Sequence, residues 1–328
     1  GGLEPLTNPE IGSLIQYSKE LDFKTSMYTN GYMLTPKLLA ANAGIWELDA
    51  LRLSLYGVDE ASAVAVTKKT GSYNQVKKNV SEYIRLRYEA GSNTKFGVNF
   101  VILPQNISPL LKLADLIIHL NQIEDGPGAE FVTLREDFSI LPEEGISSSD
   151  RQRMLAIFEE FEHNIEKNSP TSVEIDYGYA LQSIRDGFEG RPLEMIGDED
   201  VRGAGYPQIS VVVDLYGDVY IYREAGFLER PGAKRYVIGR VTPERSLESI
   251  VREFVENETE IPTAKGDWQY LDAFDHVIVK LLNQAESDQA TGIHFNLGPV
   301  RDRMLSKGPA ANTSYPVLAH PTLVGTKI

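Results

Sequence analysis

Short β-rich stretches alternate with stretches of helical period along the first half of this chain, and that alternation limits its possible folds more than any other property. The runs FKTSMYT, LDALRLSLY, FGVNFVILP and EFVTLRE (130–136) are strand-length and rich in β-branched and aromatic residues. Helical spacing marks IGSLIQYSKEL, PKLLAANAG, the segment from Tyr73 to about Ala90 and the segment from Ser108 to about Ile123. Short turns carrying Gly, Pro and Asn join them. Strand, helix and strand in succession predict parallel βαβ units with right-handed crossovers, and so an α/β fold.

The second half has a different pattern. Ser148 or Ser149 is placed to cap a helix running to about Asn164, followed by a strand in SVEIDY and a helix in GYALQSIRDG. Gly187 to Gly205 is rich in Gly and charge and reads as a loop that can cover a site. QISVVVDLYGDVYIYREAGF then reads as a hairpin turned at Gly217-Asp218. The tail GPAANTSYPVLAHPTLVGTKI has no periodicity and reads as loosely ordered. These shifts suggest three regions: 1–145, 146–290 and 291–328.

The net charge of −15 argues against general nucleic-acid binding, which needs a basic face to displace phosphate counterions. No apolar run approaches the roughly 18 residues that cross a bilayer, and no signal-peptide pattern opens the sequence, so no membrane role is expected and a cytoplasmic protein is the default. There is no cysteine, hence no disulfide and no thiolate nucleophile. The five histidines are scattered without HxH or HxxxH spacing, so no metal site is expected from these residues.

In parallel βαβ units the C-terminal strand ends open onto the site face. Here those ends carry Glu4, Asn30, Ser54, Tyr56, Asn106, Arg135, Glu136 and Asp137. Each alone has an ordinary reading as a helix cap or turn residue, but a ring of them at successive ends points to a binding site. Arg52 shares the strand face of Ser54. Arg135 can bind an anion or pair with the acids beside it.

The opening phrase GGLEPLTNP resembles the GGEP element of the radical S-adenosylmethionine enzymes. KTSMYTNG, LDALRLSLYG, VTKKTGSYNQVKKNV and FGVNFVILPQN resemble later stretches of the same family in the same order. The similarity extends through FVTLRED, VEIDYGYALQSIRDG and VVVDLYGDVYIYREAGF to the sugar-nucleotide lyases of deoxysugar pathways within that family. The resemblance implies a partial (β/α)6 barrel lacking its first strands, with a C-terminal α+β extension. It implies truncation, since the family's GGEP element follows a CxxxCxxC loop whose thiolates hold a 4Fe-4S cluster.

The resemblance further implies an ammonia-lyase that takes a hydrogen atom from C3 of a nucleotide-linked 4-amino-4,6-dideoxy sugar and releases the C4 amine. S-adenosylmethionine and a 4Fe-4S cluster ligated upstream would be its cofactors, and an electron donor such as flavodoxin its partner. Gly1, Gly2, Glu4, Pro5, Asn30, Ser54, Ile102 and Leu103 would contact S-adenosylmethionine. Arg135, Tyr177, Tyr179, Tyr222 and Arg223 would contact the substrate, with Lys68 and Lys69 as further diphosphate candidates or plain surface residues. Glu136, Asp137 and Glu224 would be the catalytic acids serving the amine. In relatives with an auxiliary cluster a Cys follows the hairpin; Tyr222 and Arg223 stand there, implying none. A radical decarboxylase or dehydrogenase of an antibiotic sugar, and a non-catalytic barrel-like binding protein, remain as alternatives.

Overall fold

The computed structural model describes residues 4–102, 107, 109–136, 148–187, 211–226, 232–257, 261, 264–271, 279, 283 and 287, and within these not the side chains of Glu136, Ser148, Tyr179, Ala180 and Ser183. The chain divides into two units, Gly1–Lys280 and Leu281–Ile328. Leu103, Asn106, Asp137, Gly1 and Gly2, most of the 187–205 loop and the tail lie outside the described residues.

Five strands, β1 (Ser26–Thr29), β2 (Ala50–Leu55), β3 (Lys95–Ile102), β4 (Phe131–Glu136) and β5 (Glu174–Tyr177), pair in parallel in the order of the sequence. Helices connect them: α1 (Ile11–Glu20) precedes β1, α2 (Pro36–Ala41) leads to β2, and α3 (Glu60–Thr67) and α4 (Ser72–Glu89) lead to β3. Then α5 (Leu110–Asn121) leads to β4, α6 (Ser148–Asn168) to β5, and α7 (Tyr179–Arg185) follows. When every strand lies beside its predecessor, crossovers of one hand put the helices on one face of the sheet.

Burial follows that division. Leu51, Leu53 and Leu55, Phe96, Val98, Phe100 and Ile102, and Val132 and Leu134 are buried against Tyr83 and Ile84 of α4, Leu113 and Ile117 of α5 and Phe158 and Phe161 of α6. The intervening residues Tyr28, Arg52, Ser54, Asn99, Thr133, Arg135 and Asp176 point to the other face, since successive side chains alternate along a strand.

Polar struts fix the ends of this sheet. At its N-terminal end the buried Arg87 donates to the carbonyls of Thr94, Pro127 and Gly128 and pairs with Glu130 at 3.1 Å. Asn121, with no exposure, bonds the main chain of Ala129 in both directions. At the other end Asn79, buried on α4, donates to the carbonyls of Gly31 and Tyr32 and so holds the loop after β1.

Three details differ from the sequence expectation. The stretch EASAVAVT forms α3, which sequence spacing did not mark; a capping box closes its first turn, Asp59 accepting from the Ser62 amide and the Ser62 hydroxyl serving the Asp59 amide. The helix through PKLLAANAG stops at Ala41 and continues as a 3-10 turn, Ala43–Glu47. Gly44 lies so close to Gly12 that a Cβ there would sit 2.1 Å from the Gly12 carbonyl oxygen. The α6 helix reaches Asn168, a turn beyond the expected end.

A second, antiparallel sheet contains β6 (Val212–Val213), β7 (Asp218–Tyr220) and β8 (Val237–Arg240). Gly217, with φ of 82°, takes the left-handed position of the turn, and Asp218 belongs to the strand rather than to the turn. Behind the sheet α8 (Leu247–Glu256), capped by Ser246, buries Ile250 and Phe254. Tyr222, Tyr236 and Tyr270 form a buried chain of rings 4.8 and 5.5 Å apart. No described helix is long and apolar enough to cross a membrane.

Candidate functional site

A cavity of about 350 Å³ opens at the C-terminal ends of β1 and β2, walled in part by Glu4, Asn30, Tyr32, Ser54, Tyr56, Lys69 and Tyr73. Glu4 is fixed from three sides. Its Oε1 accepts from the Leu6 amide, where it caps the 3-10 turn Pro5–Thr7, and from the Thr29 hydroxyl at 2.7 Å; its Oε2 accepts from the Asn30 amide at 2.8 Å. The Asn30 side chain accepts in turn from the Tyr32 amide. The carboxylate thus ties the opening turn to the end of β1 and still faces the cavity, because a carboxylate offers about four acceptor sites.

The far wall comes from the α3–α4 elbow. Lys68 ends α3 in the left-handed conformation, its ammonium on the Ala65 carbonyl, whereas Lys69 places its ammonium 3.5 Å from the centre of the Tyr32 ring. Burial and the nearby Asp59 charge push the Tyr73 phenol up from its ordinary pKa. Asp59 itself is held well below the usual carboxylate range by Lys112 and by the Ser62 amide and hydroxyl.

Beside the cavity, the face of the sheet that carries no helix among the described residues, the helix-free face, is built in layers fixed by strand register. The first contains Tyr28, Arg52, Gly97 and Phe131. Gly97 leaves room for the Phe131 ring, on which the Arg52 guanidinium lies 4.5 Å from the centroid; Tyr28 is 5.7 Å away on another side. The next contains Ser54, Asn99, Thr133 and Asp176, directly paired from strand to strand. Asn99 Oδ1 is buried and has no hydrogen-bond partner among the described residues. One step further on, Arg135 leans over Asp176, Nη2 to Oδ2 2.8 Å.

Glu4, Asn30 and Ser54 therefore meet at one cavity, with Arg135 on the adjoining face. Other residues singled out from the sequence lie elsewhere. Pro5 opens the 3-10 turn under Glu4, and Ile102 is buried in the helix-packed core. Tyr177 is also buried there, its hydroxyl donating to Glu162 of α6 at 2.6 Å. Tyr222 is enclosed by the tyrosine chain near the second sheet, and Arg223 and Glu224 begin the 3-10 turn Arg223–Gly226 beside it. Glu136 pairs with Ile102 at the end of β4, and Tyr179 starts α7. Sequence reading passed over Asn99, Thr133 and Asp176, although period-two alternation within FGVNFVILP, EFVTLRE and SVEIDY puts them on the face of Arg52 and Ser54.

No protein-family model matches the chain. Over 292 residues, 89% of its length, it is 40% identical to the dTDP-4-amino-4,6-dideoxy-D-glucose ammonia-lyase of Streptomyces venezuelae. The chain covers 60% of the length of that relative. Among solved structures it is similar to Streptococcus suis SuiB, with TM-score 0.47 and 13% identity over 76% of this chain and 53% of that one. The structure of SuiB bound to S-adenosylmethionine gives TM-score 0.47 and 12% identity over 85% of this chain and 61% of the other.

Proposed function

We propose that this chain belongs to a radical S-adenosylmethionine lyase that removes the C4 amino group of a nucleotide-linked 4-amino-4,6-dideoxy sugar as ammonia. The observation that carries this reading is the 40% identity to an ammonia-lyase of that substrate across nearly the whole of this chain. The five strands then form part of a barrel, with the cavity and the helix-free face directed inward.

The residues of the cavity suit S-adenosylmethionine. Glu4 supplies a fixed carboxylate for its ammonium group, Asn30 and Ser54 supply polar contacts, and the Tyr32, Tyr56 and Tyr73 side chains flank a space of about 350 Å³. When bound and cleaved to methionine by one electron from an external reductant, S-adenosylmethionine would supply the carbon radical that takes the substrate hydrogen atom. The chain's own part is to hold the two molecules side by side and keep water from the reacting carbon. Arg135, on the face adjoining the cavity, is a candidate partner for the substrate diphosphate.

A 4Fe-4S cluster does not fit the residues of this chain. There is no cysteine in the sequence, and among the described residues no group of three or more His, Cys, Asp or Glu could hold a metal ion.

The test is made on the complete protein as the cell produces it, prepared anaerobically with iron and sulfide, a reductant, S-adenosylmethionine and dTDP-4-amino-4,6-dideoxyglucose. Release of ammonia together with 5'-deoxyadenosine is the expected result. Deoxyadenosine without ammonia would move the reading to decarboxylation or oxidation of another sugar. Neither product, with no nucleotide-sugar binding, would favour a non-catalytic protein.

A further inference from the structure

We propose that the layer Asn99–Thr133–Asp176 is the subsite that recognises the amino sugar, Asp176 taking its ammonium group and Asn99 Oδ1 accepting from a hydroxyl on the ring. The inference rests on the functional reading above and names the residues that would give it substrate selectivity.

Three observations lead here. The layer starts at the cavity, because Ser54 lines the cavity wall and is the register partner of Asn99. It crosses the helix-free face through Thr133 to Asp176, so a ligand lying along it is adjacent to whatever fills the cavity. Asn99 and Asp176 are two strands apart, roughly 10 Å at the backbone, a gap that a pyranose ring with its substituents bridges between two inward-reaching side chains.

The chemistry of the layer is also specific. A buried amide oxygen without a partner costs free energy until a donor arrives, and Asn99 Oδ1 is such an acceptor. Asp176 is the carboxylate of this layer, about a quarter exposed, and Arg135 holds it at 2.8 Å. Since a carboxylate offers about four acceptor sites, an ammonium can join Arg135 on it. A sugar with a hydroxyl in place of the amine would satisfy Asn99 but bring no charge to Asp176.

Calorimetry on the complete protein, with dTDP-4-amino-4,6-dideoxyglucose and its 4-hydroxy counterpart as probes, tests this without turnover. Wild type should prefer the amino sugar. Asp176→Asn should lose about 10- to 100-fold in affinity for the amino sugar, the range of a charge-assisted hydrogen bond, and change little for the hydroxy sugar. Asn99→Ala should weaken both sugars alike, by about 3- to 10-fold. Thermal melts of both variants verify that they fold. Unchanged binding of the amino sugar by Asp176→Asn, or equal weakening of both sugars by it, overturns the proposal and leaves the lyase reading intact. Failure of the folded wild-type protein to bind either sugar removes both.

Discussion

Replacing Gly97 by Ala should disturb the helix-free face through a single methyl group. A Cβ at position 97 would lie 2.2 Å from two carbons of the Phe131 ring, where ordinary contact needs about 3.5–4.0 Å. The ring must withdraw by roughly 1.5 Å, and the Arg52 guanidinium resting on it loses its platform. Overpacking of this kind costs about 1–3 kcal/mol and the cation–π contact about 0.5–2 kcal/mol. We expect a total near 2–3 kcal/mol, or a melting temperature lower by roughly 4–12 °C for a unit of this size. The assay is a double-mutant cycle with Phe131→Ala, followed by chemical or thermal denaturation. In the Phe131→Ala background the added methyl enters vacated space, so Gly97→Ala should cost less than about 1 kcal/mol there. An equal cost in both backgrounds refutes the packing argument, and so does a single variant that melts with the wild type.

Two further substitutions test the polar framework. Glu162 is below its usual 4.5: burial opposes its charge, but the hydrogen bonds from Arg185 and Tyr177 outweigh it. Its contribution is therefore present above about pH 4.5 and is lost as pH falls through the lower folded-state value, so Glu162→Gln should destabilise by about 1–2 kcal/mol at pH 7 and progressively less in acid, as read by urea titrations from pH 7 to pH 3. Asp267 is almost fully buried and accepts from Arg235, the Tyr236 hydroxyl and the Ala264 amide at 2.6–2.8 Å. Asp267→Ala should cost about 3–5 kcal/mol and speed amide exchange in β8, and a variant with native exchange there would contradict the role given to this carboxylate.

The parallel sheet was legible because each strand carries its own local signal, a β-rich run bounded by turn residues and separated from the next by a helical period. α3 was hidden because EASAVAVT is apolar on all sides and has no polar face to set its period, although Asp59 and Ser62 stand at capping-box spacing. Strand ends led to Glu4, Asn30 and Ser54, which share a cavity. The family resemblance drew attention to Ile102 and Tyr177, whose pleat positions turn them into the core. Asn99, Thr133 and Asp176 escaped notice for the opposite reason. Each is one polar residue inside an apolar run, and the layer they form exists only through register between segments 34 and 43 residues apart. Pairing over such distances is not written in any local window.

The strict in-and-out division of β2 to β5 separates two selective pressures within single strands. Leu53, Val98, Leu134 and Tyr177 answer to the helices, while their immediate neighbours Ser54, Asn99, Thr133 and Asp176 contact none of that core by pleat. Four positions, scattered along more than a hundred residues, can thus vary without touching the helix-packed core, at the cost of the Arg52–Thr133 and Arg135–Asp176 contacts. A chain built this way can acquire a new ligand by point substitution, with neither insertion nor loop remodelling, and libraries confined to those four codons are the economical place to test the proposed sugar subsite.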